Sequence, residues 1–398
     1  MSLLHGLFML TDAPFAKEDW AYLYDFVKLH MRHLYIEALD RLSRNYAQNH
    51  VLQIGVVLMF AGVMFPEAEN AMQMVKTGID TVEMNLRNTI FDDGGSEEDS
   101  PSYSNFIARL YLEALLLIEG NGLPKMDGLR ESIIKQYQWI YQCMTPQGKS
   151  LQIADSYSLD VMQDIEYVSK LIDLDLPARC GDVFLPDSKM AIFRKGDITL
   201  YADAQGYPGH HHHAGAPQIL VFKGAKPLIV DSGVCNYDRW ELYAQLPEPK
   251  MHNVVYTEGI YSTSMTVDPV IEEYDAEGGI IKIKTRVRNG DRQYTWTRAI
   301  EISHSKITIC DEAVSDSEQT WHSRLFFKKN DVYFTPDGKG MQLMREDFLM
   351  NLRSDIPVEK ELVPVMNEDN CLDYAVVVQN THRGCSFENK IEIQFEKR

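Results

Sequence analysis

The sequence predicts an α+β protein of two domains, an N-terminal helical domain followed by a large antiparallel β-sandwich. A chain of 398 residues exceeds the size of one ordinary core. Near residue 185 the apolar residues change from helical spacing to alternation. Turn signals then recur at short intervals with no helical segment between them, as in all-β domains. We therefore expect domains at residues 1–175 and 185–398.

The helical domain contains several segments with apolar residues at helical spacing, separated by short connections typical of helical hairpins. Pro66, Gly120 and Gly122 mark boundaries between them. The segment 51–64 is apolar nearly all round, which predicts burial on every side. The predicted helices are residues 17–46, 51–64, 67–90, 103–119 and 127–144.

The C-terminal domain alternates apolar and polar residues, beginning with KMAIFRKGDITLYADAQ. Turn signals at Lys195-Gly196, Asn289-Gly290 and Asp337-Gly338 predict β-hairpins. Many short strands in succession favour an antiparallel sandwich.

Composition excludes some classes of partner. The net charge of −19 argues against general affinity for nucleic acid or membrane surfaces, although a cleft can still be locally basic for an anionic substrate. No apolar stretch reaches transmembrane length. The six cysteines are widely spaced without a CxxC pair, so we expect buried thiols.

The N-terminal segment MSLLHGLFMLTDAPF has no basic residues ahead of its apolar patch, so we expect no signal peptide. The chain as given is expected to remain in the cytoplasm. If native residues upstream are missing, the protein is expected to be periplasmic or secreted.

Four consecutive histidines, residues 210–213, are the most informative feature of the chain. Imidazole serves near neutral pH as acid, base or metal ligand. In extended backbone, His210 and His212 lie on one face and His211 and His213 on the other, so one pair can line a cleft. The alternative is a solvated loop, but the glycines and prolines that bracket the run favour a positioned functional segment.

Other chemically reactive residues occur in both domains, and a cleft between the domains would bring them together. Asn49 is also consistent with a helix N-cap, and residues 97–99 with a solvated acidic turn. Among nearby cations, Arg239 suits bidentate contact with a carboxylate, and Trp240 beside it can stack on a sugar ring. The candidate reactive groups are Asn49 and His50, Tyr103, His210 and His212, Asp231 and His252.

Several of these motifs resemble those of the heparinase II/III-like polysaccharide lyases. The similar stretches are GHHHHAGAPQILVFKGAKPLIVDSG with the later MHNVVYTEG, the acidic loop DDGGSEEDSPSY, and the upstream Asn-His pair. They extend over residues 45–260. The resemblance implies an incomplete (α/α) toroid joined to an antiparallel β-sandwich, and cleavage of uronic-acid polysaccharides by β-elimination.

The resemblance also implies roles for individual residues. Asn49 or His50 matches the residue that neutralises the substrate carboxylate, so that the C5 proton becomes acidic. Tyr103 matches a tyrosine that acts as base and acid, and His210 a histidine that assists or removes the proton of the other C5 epimer. Glu98 is expected to belong to the substrate site, or to orient Tyr103 or a histidine.

A structural metal is the cofactor that the resemblance implies, held by His212, Asp231 and His252. Two imidazoles and a carboxylate suit zinc. The alternative is that Asp231 caps a turn and His252 packs beneath the histidine run. The chain departs from the family in two ways: His213-Ala214 follows where an aspartate is common, and the helical part is short for a full toroid.

The function expected is a polysaccharide lyase acting on a heparan-type glycosaminoglycan or similar polymer. The alternatives are an oligoalginate lyase and a non-catalytic carbohydrate-binding relative. A zinc hydrolase is least favoured, because the chain contains neither HExxH nor Gly-x-Ser-x-Gly. The partner expected is an acidic polysaccharide or oligosaccharide, with no nucleic acid and no membrane; the oligomeric state is not predicted.

Overall fold

The structure is a computed structural model that describes Gly6 and residues 16–235, 240–329 and 331–398. The segment that bears on a signal peptide therefore lies almost entirely outside the described residues. Contacts divide the chain into two compact units, one of residues 1–96 and 105–137 and one of residues 97–104 and 138–398. No helix in the described part of the chain is long and apolar enough to span a membrane.

Helices occupy the described chain up to residue 168, as the sequence predicts. Helix α6 was not predicted, because its eight residues are too few for a clear period; Asp160 caps it by accepting from the Gln163 backbone N–H at 3.0 Å. The helices are α1 (Lys17–Ser43), α2 (Asn49–Met64), α3 (Ala71–Thr89), α4 (Pro101–Asn121), α5 (Leu129–Cys143) and α6 (Val161–Val168).

The first unit is built on close contact between α2 and α3. A side chain at Gly78 would place its Cβ 2.6 Å from the Gly55 carbonyl oxygen and 2.7 Å from Met59 Cγ, so the two helices approach at these glycines. The predicted burial of α2 is confirmed, since none of residues 51–64 is exposed. Helix α1 packs against them through Val27 and Met31.

The second unit contains an antiparallel sandwich, which confirms the predicted change from helix to strand. The three predicted hairpins form at Gly196, Gly290 and Gly338, each with positive φ. The strands are β1 (Val183–Leu185), β2 (Met190–Lys195), β3 (Ile198–Asp203), β4 (Gln218–Lys223), β5 (Lys226–Ile229), β6 (Val255–Thr257), β7 (Met265–Asp275), β8 (Ile280–Asn289), β9 (Arg292–Ile302), β10 (Lys306–Lys328), β11 (Asp331–Phe334), β12 (Gly340–Met344), β13 (Phe348–Ser354), β14 (Val358–Met366) and β15 (Leu372–Lys397).

The strands run in the order β1-β2-β3-β4-β5-β10-β15-β13-β12-β11, with β14 on β15, β6 on β10, and β9, β8 and β7 extending from β10. Strands β10 and β15 pair from Lys306 with Gln394 to Lys328 with Ala375, with one bulge. The main core consists of buried aliphatic and aromatic side chains from many of these strands, among them Phe193, Ile219 and Phe327. A short helix, α7 (Trp240–Tyr243), and the turn Pro249–Met251 interrupt the strands after β5 and lead to His252.

The expectation that all cysteines are buried is wrong. Cys143 and Cys235 are buried and Cys310 is intermediate, but Cys180, Cys371 and Cys385 are exposed. Wide spacing in the sequence excludes a disulfide framework but does not determine burial.

Candidate active site

Tyr103 lies against a histidine of the His210–His213 run. It stands in the first turn of α4, which Pro101 opens, a position where the missing N–H of proline is tolerated. Its ring stacks on the imidazole of His211 with 3.6 Å between centroids and 20° between planes. Tyr103 is only partly buried, so a phenol and an imidazole adjoin at a site that solvent reaches.

The acidic loop before α4 is not a solvated turn. Glu98 is 1% exposed and Asp99 9% exposed, so this alternative is wrong for both residues. The Glu98 Oε2 atom lies 3.4 Å from His211 Nε2, which agrees with the expectation that Glu98 orients a histidine. Its assignment to the substrate site stays a prediction.

Asp155 contacts two histidines at once. His211 Nδ1 donates to Asp155 Oδ2 at 3.0 Å, and His213 Nε2 donates to Asp155 Oδ1 at 2.9 Å. Burial alone would raise the pKa of Asp155, but the hydrogen bonds from both imidazoles lower it to about 2. Asp155 is therefore ionised at neutral pH and accepts both bonds.

The histidine run is a turn rather than an extended strand, so the simple alternation predicted for it fails. His211 has a left-handed φ of 59°. The assignment of His212 as a metal ligand is corrected, since its ring nitrogens face the carbonyl oxygens of Gly206 and Glu97 at 2.5 Å each. His210 lies near the Glu97 carboxylate. Burial raises the pKa of Glu97, and the interaction with His210 offsets this only in part.

His213 takes the place of His212 in a buried group with Asp231 and His252. One ligand atom from each of the three lies within 4.8 Å of the others. His252 Nδ1 donates to Asp231 Oδ1 at 2.7 Å, which leaves His252 Nε2 without its proton if the imidazole is neutral. Burial lowers the pKa of His213, and its hydrogen bond to Asp155 only partly offsets this, so His213 is neutral with a lone pair on Nδ1.

Three atoms of this group are candidate metal ligands. His213 Nδ1, Asp231 Oδ2 and His252 Nε2 are buried and have no hydrogen-bond partner among the described residues. Buried polar atoms are rarely left in this state unless something else binds them. The N–H of His213 Nε2 donates to the Asp155 carboxylate, which is the usual outer partner of a metal-bound histidine. Two imidazole nitrogens and one carboxylate oxygen, donor types that zinc prefers, therefore lie in one buried group.

Two further carboxylates lie near this group. Burial, followed by the charge of Asp231, raises the pKa of Asp99 well above its usual range. The pKa of Asp203 is raised by burial and then by Asp99. Both groups therefore favour the neutral acid more than exposed carboxyls do.

The neighbours of His252 hold the strand ends around the site. The Asn253 side-chain amide donates to the carbonyls of Ile219 at 3.0 Å and Val230 at 2.9 Å, and its oxygen accepts from the Phe326 N–H at 2.7 Å. A side chain at Gly215 would place its Cβ 2.8 Å from His252 Cγ. Asn253 thus joins β4, the residue that follows β5, and β10, and only glycine leaves room for the His252 ring.

Two predicted catalytic residues belong to the first unit. Asn49 is 5% exposed and is the first residue of α2, whose N-cap is Gln48, so the alternative of Asn49 as N-cap is wrong. His50 is exposed. The catalytic roles of both residues stay predictions.

The predicted substrate contacts after β5 are not tested. Arg239 lies outside the described residues. Trp240 begins helix α7, but its side chain lies outside what the structure describes.

The structure places His211 against Tyr103, and His213 rather than His212 beside Asp231 and His252, whereas Asp155 was not identified from the sequence. Alternation along the run defines two pairs of histidines, and His211 with His213 is one of them. The sequence therefore contained this pair as an alternative. Asp155 stands in the polar stretch ADSYS, where nothing distinguishes it from other acidic residues.

Two family models match the chain. Residues 15–173 match the model described as Heparinase II/III N-terminus, and residues 179–355 match the model described as Heparinase II/III-like, C-terminal. Together they cover most of the sequence. No curated protein matches the chain.

Solved structures share its fold. A crystal structure of heparinase III gives a TM-score of 0.83 at 15% identity, over 99% of this chain and 68% of that chain. A heparinase III gene product gives a TM-score of 0.75 at 18% identity, over 91% of this chain and 62% of that chain. A heparan sulfate lyase from Pedobacter heparinus gives a TM-score of 0.73 at 14% identity, over 95% of this chain and 64% of that chain.

At these identities the likeness shows the fold, and it confirms the predicted incomplete (α/α) toroid followed by an antiparallel β-sandwich. This chain spans less than two thirds of the length of the last two proteins.

Proposed function

The chain belongs to the heparinase II/III-like family, and from this premise we propose that it is a polysaccharide lyase that cleaves a uronic-acid-containing polysaccharide by β-elimination. The observation that carries the proposal is the stacking of Tyr103 on His211 at 3.6 Å, with the carboxylates of Glu98 and Asp155 at the two ring nitrogens of His211. A general acid–base pair held in this way suits proton transfer from carbon and to oxygen.

In the proposed reaction a base removes the C5 proton of the uronate. The electron pair forms the C4–C5 double bond, the bond from C4 to the glycosidic oxygen breaks, and that oxygen receives a proton. Tyr103 supplies both transfers, first as phenolate and then as phenol. A positioned acid or base contributes about 10²–10⁴ in rate.

His211 takes the assisting role that the motif match assigned to His210. This assignment rests on the position of His211, whose ring stacks on that of Tyr103 at 3.6 Å while its two nitrogens lie beside Asp155 and Glu98. The motif match gives Asn49 or His50 the role of neutralising the substrate carboxylate, and this role stays a prediction.

We also propose that His213, Asp231 and His252 hold a zinc ion. Nitrogen and carboxylate ligands suit zinc, and the three buried atoms without partners support this choice. If bound by these residues, the ion would supply positive charge in a buried site beside Asp231. The reaction itself is carried by Tyr103 and His211.

The proposal is tested by incubating the full chain with heparan-type glycosaminoglycans and with alginate, and following the near-ultraviolet absorbance of a new 4,5-unsaturated uronate. The polymer that yields this product distinguishes the heparan-type proposal from the oligoalginate alternative. Absence of the product on every uronate polymer would contradict lyase activity.

Tyr103→Phe separates a lyase from a non-catalytic binding relative. A lyase loses about 10²–10⁴ in elimination rate while oligosaccharide affinity persists, because only the hydroxyl is removed. The matched control is Tyr333→Phe, a tyrosine on β11 that is 54% exposed, for which we expect unchanged elimination. If Tyr103→Phe retains full activity, the assignment of Tyr103 is wrong.

A further inference from the structure

We propose that Asp155 is a positioning residue that sets the imidazole tautomers of both His211 and His213, and so couples the candidate metal group to the Tyr103–His211 pair. The proposal deepens the proposed function and rests on it for the catalytic readout. Its other readouts require no turnover.

The geometry of Asp155 gives each histidine its own carboxylate oxygen. Oδ2 accepts from His211 Nδ1 at 3.0 Å and Oδ1 accepts from His213 Nε2 at 2.9 Å. The Asp155 backbone N–H also donates to the His211 carbonyl at 3.1 Å. The side chain is only 7% exposed, so water does not readily replace these partners.

Only a carboxylate satisfies both imidazoles in these tautomers. An ionised carboxyl accepts at both oxygens, whereas an amide of the same shape accepts at one atom and donates at the other. With an amide at residue 155, one imidazole must present a lone pair to the N–H. If that imidazole is His213, its proton moves to Nδ1, the atom otherwise free to bind a metal. If it is His211, the proton moves to Nε2, next to Glu98.

The segment that carries Asp155 also holds the start of α4. Ser156 Oγ accepts from the Ser102 N–H at 3.0 Å, and the Tyr157 N–H donates to Ser102 Oγ at 3.1 Å. Ser102 immediately precedes Tyr103 in the first turn of the helix. Residues 155–157 therefore connect the backbone beside Tyr103, the catalytic candidate His211 and the ligand candidate His213.

The test is Asp155→Asn in the full chain, compared with Asp160→Asn. The control removes the same charge a few residues away, and asparagine caps α6 as well as aspartate does. Zinc affinity is measured by competition with a fluorescent chelator, and kcat and KM are measured at saturating zinc.

For Asp155→Asn we expect zinc affinity to fall about 10–100-fold, the usual effect of losing the carboxylate behind a metal-bound histidine. At saturating zinc we expect kcat to fall while KM stays within about twofold, because His211 is misprotonated but substrate contacts remain. We expect the control to match the wild type. Zinc affinity and kcat of Asp155→Asn both within about twofold of the wild type would overturn the proposal.

A second measurement does not depend on the folding of any variant. Nitrogen NMR of the wild-type chain with labelled histidine reads the protonated ring atom of each imidazole. In the metal-free protein we expect His213 to carry its proton on Nε2 and His211 to carry one on Nδ1. A proton on His213 Nδ1 overturns the proposal. If no polymer is cleaved, this spectrum and the zinc affinity still decide it, so its failure is distinct from failure of the lyase assignment.

Discussion

Replacement of Arg298 by methionine should destabilise the sandwich and the candidate metal group together. Arg298 is fully buried on β9 and forms a bidentate pair with Asp311 on β10, at 2.8 Å from Nε to Oδ1 and 2.9 Å from Nη2 to Oδ2. Its Nη1 also donates to the carbonyls of Pro217 and Asn253, at 3.3 and 2.5 Å. These carbonyls belong to the segments that follow His213 and His252.

Arg298→Met leaves the Asp311 carboxylate buried without its cation. Breaking a buried pair in this way costs about 3–5 kcal/mol in free energy of unfolding. A typical protein has about 5–15 kcal/mol in total, so a large part of the stability would be lost. Because Asn253 adjoins His252, zinc affinity should fall as well.

Urea denaturation followed by tryptophan fluorescence measures this change, since Trp296 and Trp321 are fully buried in the sandwich. The control is Arg353→Met, whose pair with Asp337 has side chains 59% and 47% exposed, so solvent screens it and its loss should change the unfolding free energy little. The double variant Arg298→Met with Asp311→Leu should recover part of the loss, because no unpaired charge remains. An Arg298→Met unfolding free energy within about 1 kcal/mol of the wild type would refute the reasoning.

Three further outcomes follow from the site and the helices. His213→Ala should abolish stoichiometric zinc binding while His212→Ala retains it, as measured by metal analysis after dialysis; the reverse result would restore His212 as ligand. Glu98→Gln should lower kcat about tenfold or more with little change in KM, because a carboxylate beside His211 Nε2 is lost, and an unchanged kcat would remove Glu98 from the site. Gly78→Ala should lower the free energy of unfolding by about 1–3 kcal/mol, because its Cβ would meet the Gly55 carbonyl; calorimetry showing no loss would contradict the close contact of α2 and α3.

Much of the architecture follows from residue order alone. The change of hydrophobic period near residue 185 and the Gly turns at 196, 290 and 338 predict the sandwich, because side-chain alternation and left-handed turns are local properties. Helix α6 was not predicted in this way, because eight residues are too few to show a clear hydrophobic period. The exposure of three cysteines was not predicted either, because burial depends on neighbours that are distant in the chain.

Some residues of the candidate site were also predictable from local sequence, and others were not. Asp231, His252 and Tyr103 stand out in the sequence because each occupies a recognisable motif. Which histidine lies against Tyr103, and which lies beside Asp231 and His252, depends on the left-handed backbone at His211. Nothing in the local sequence predicts that conformation.

By itself, the sequence therefore determined the two kinds of domain, the chemical types of the reactive residues and two of the three metal-ligand candidates. Only the tertiary structure decided which histidines lie beside Tyr103 and beside Asp231, and that Asp155 contacts both His211 and His213. The physical reason is that the ring orientation and proton position of an imidazole depend on its hydrogen-bond partner, and for His211 and His213 that partner lies 56 and 58 residues away along the chain.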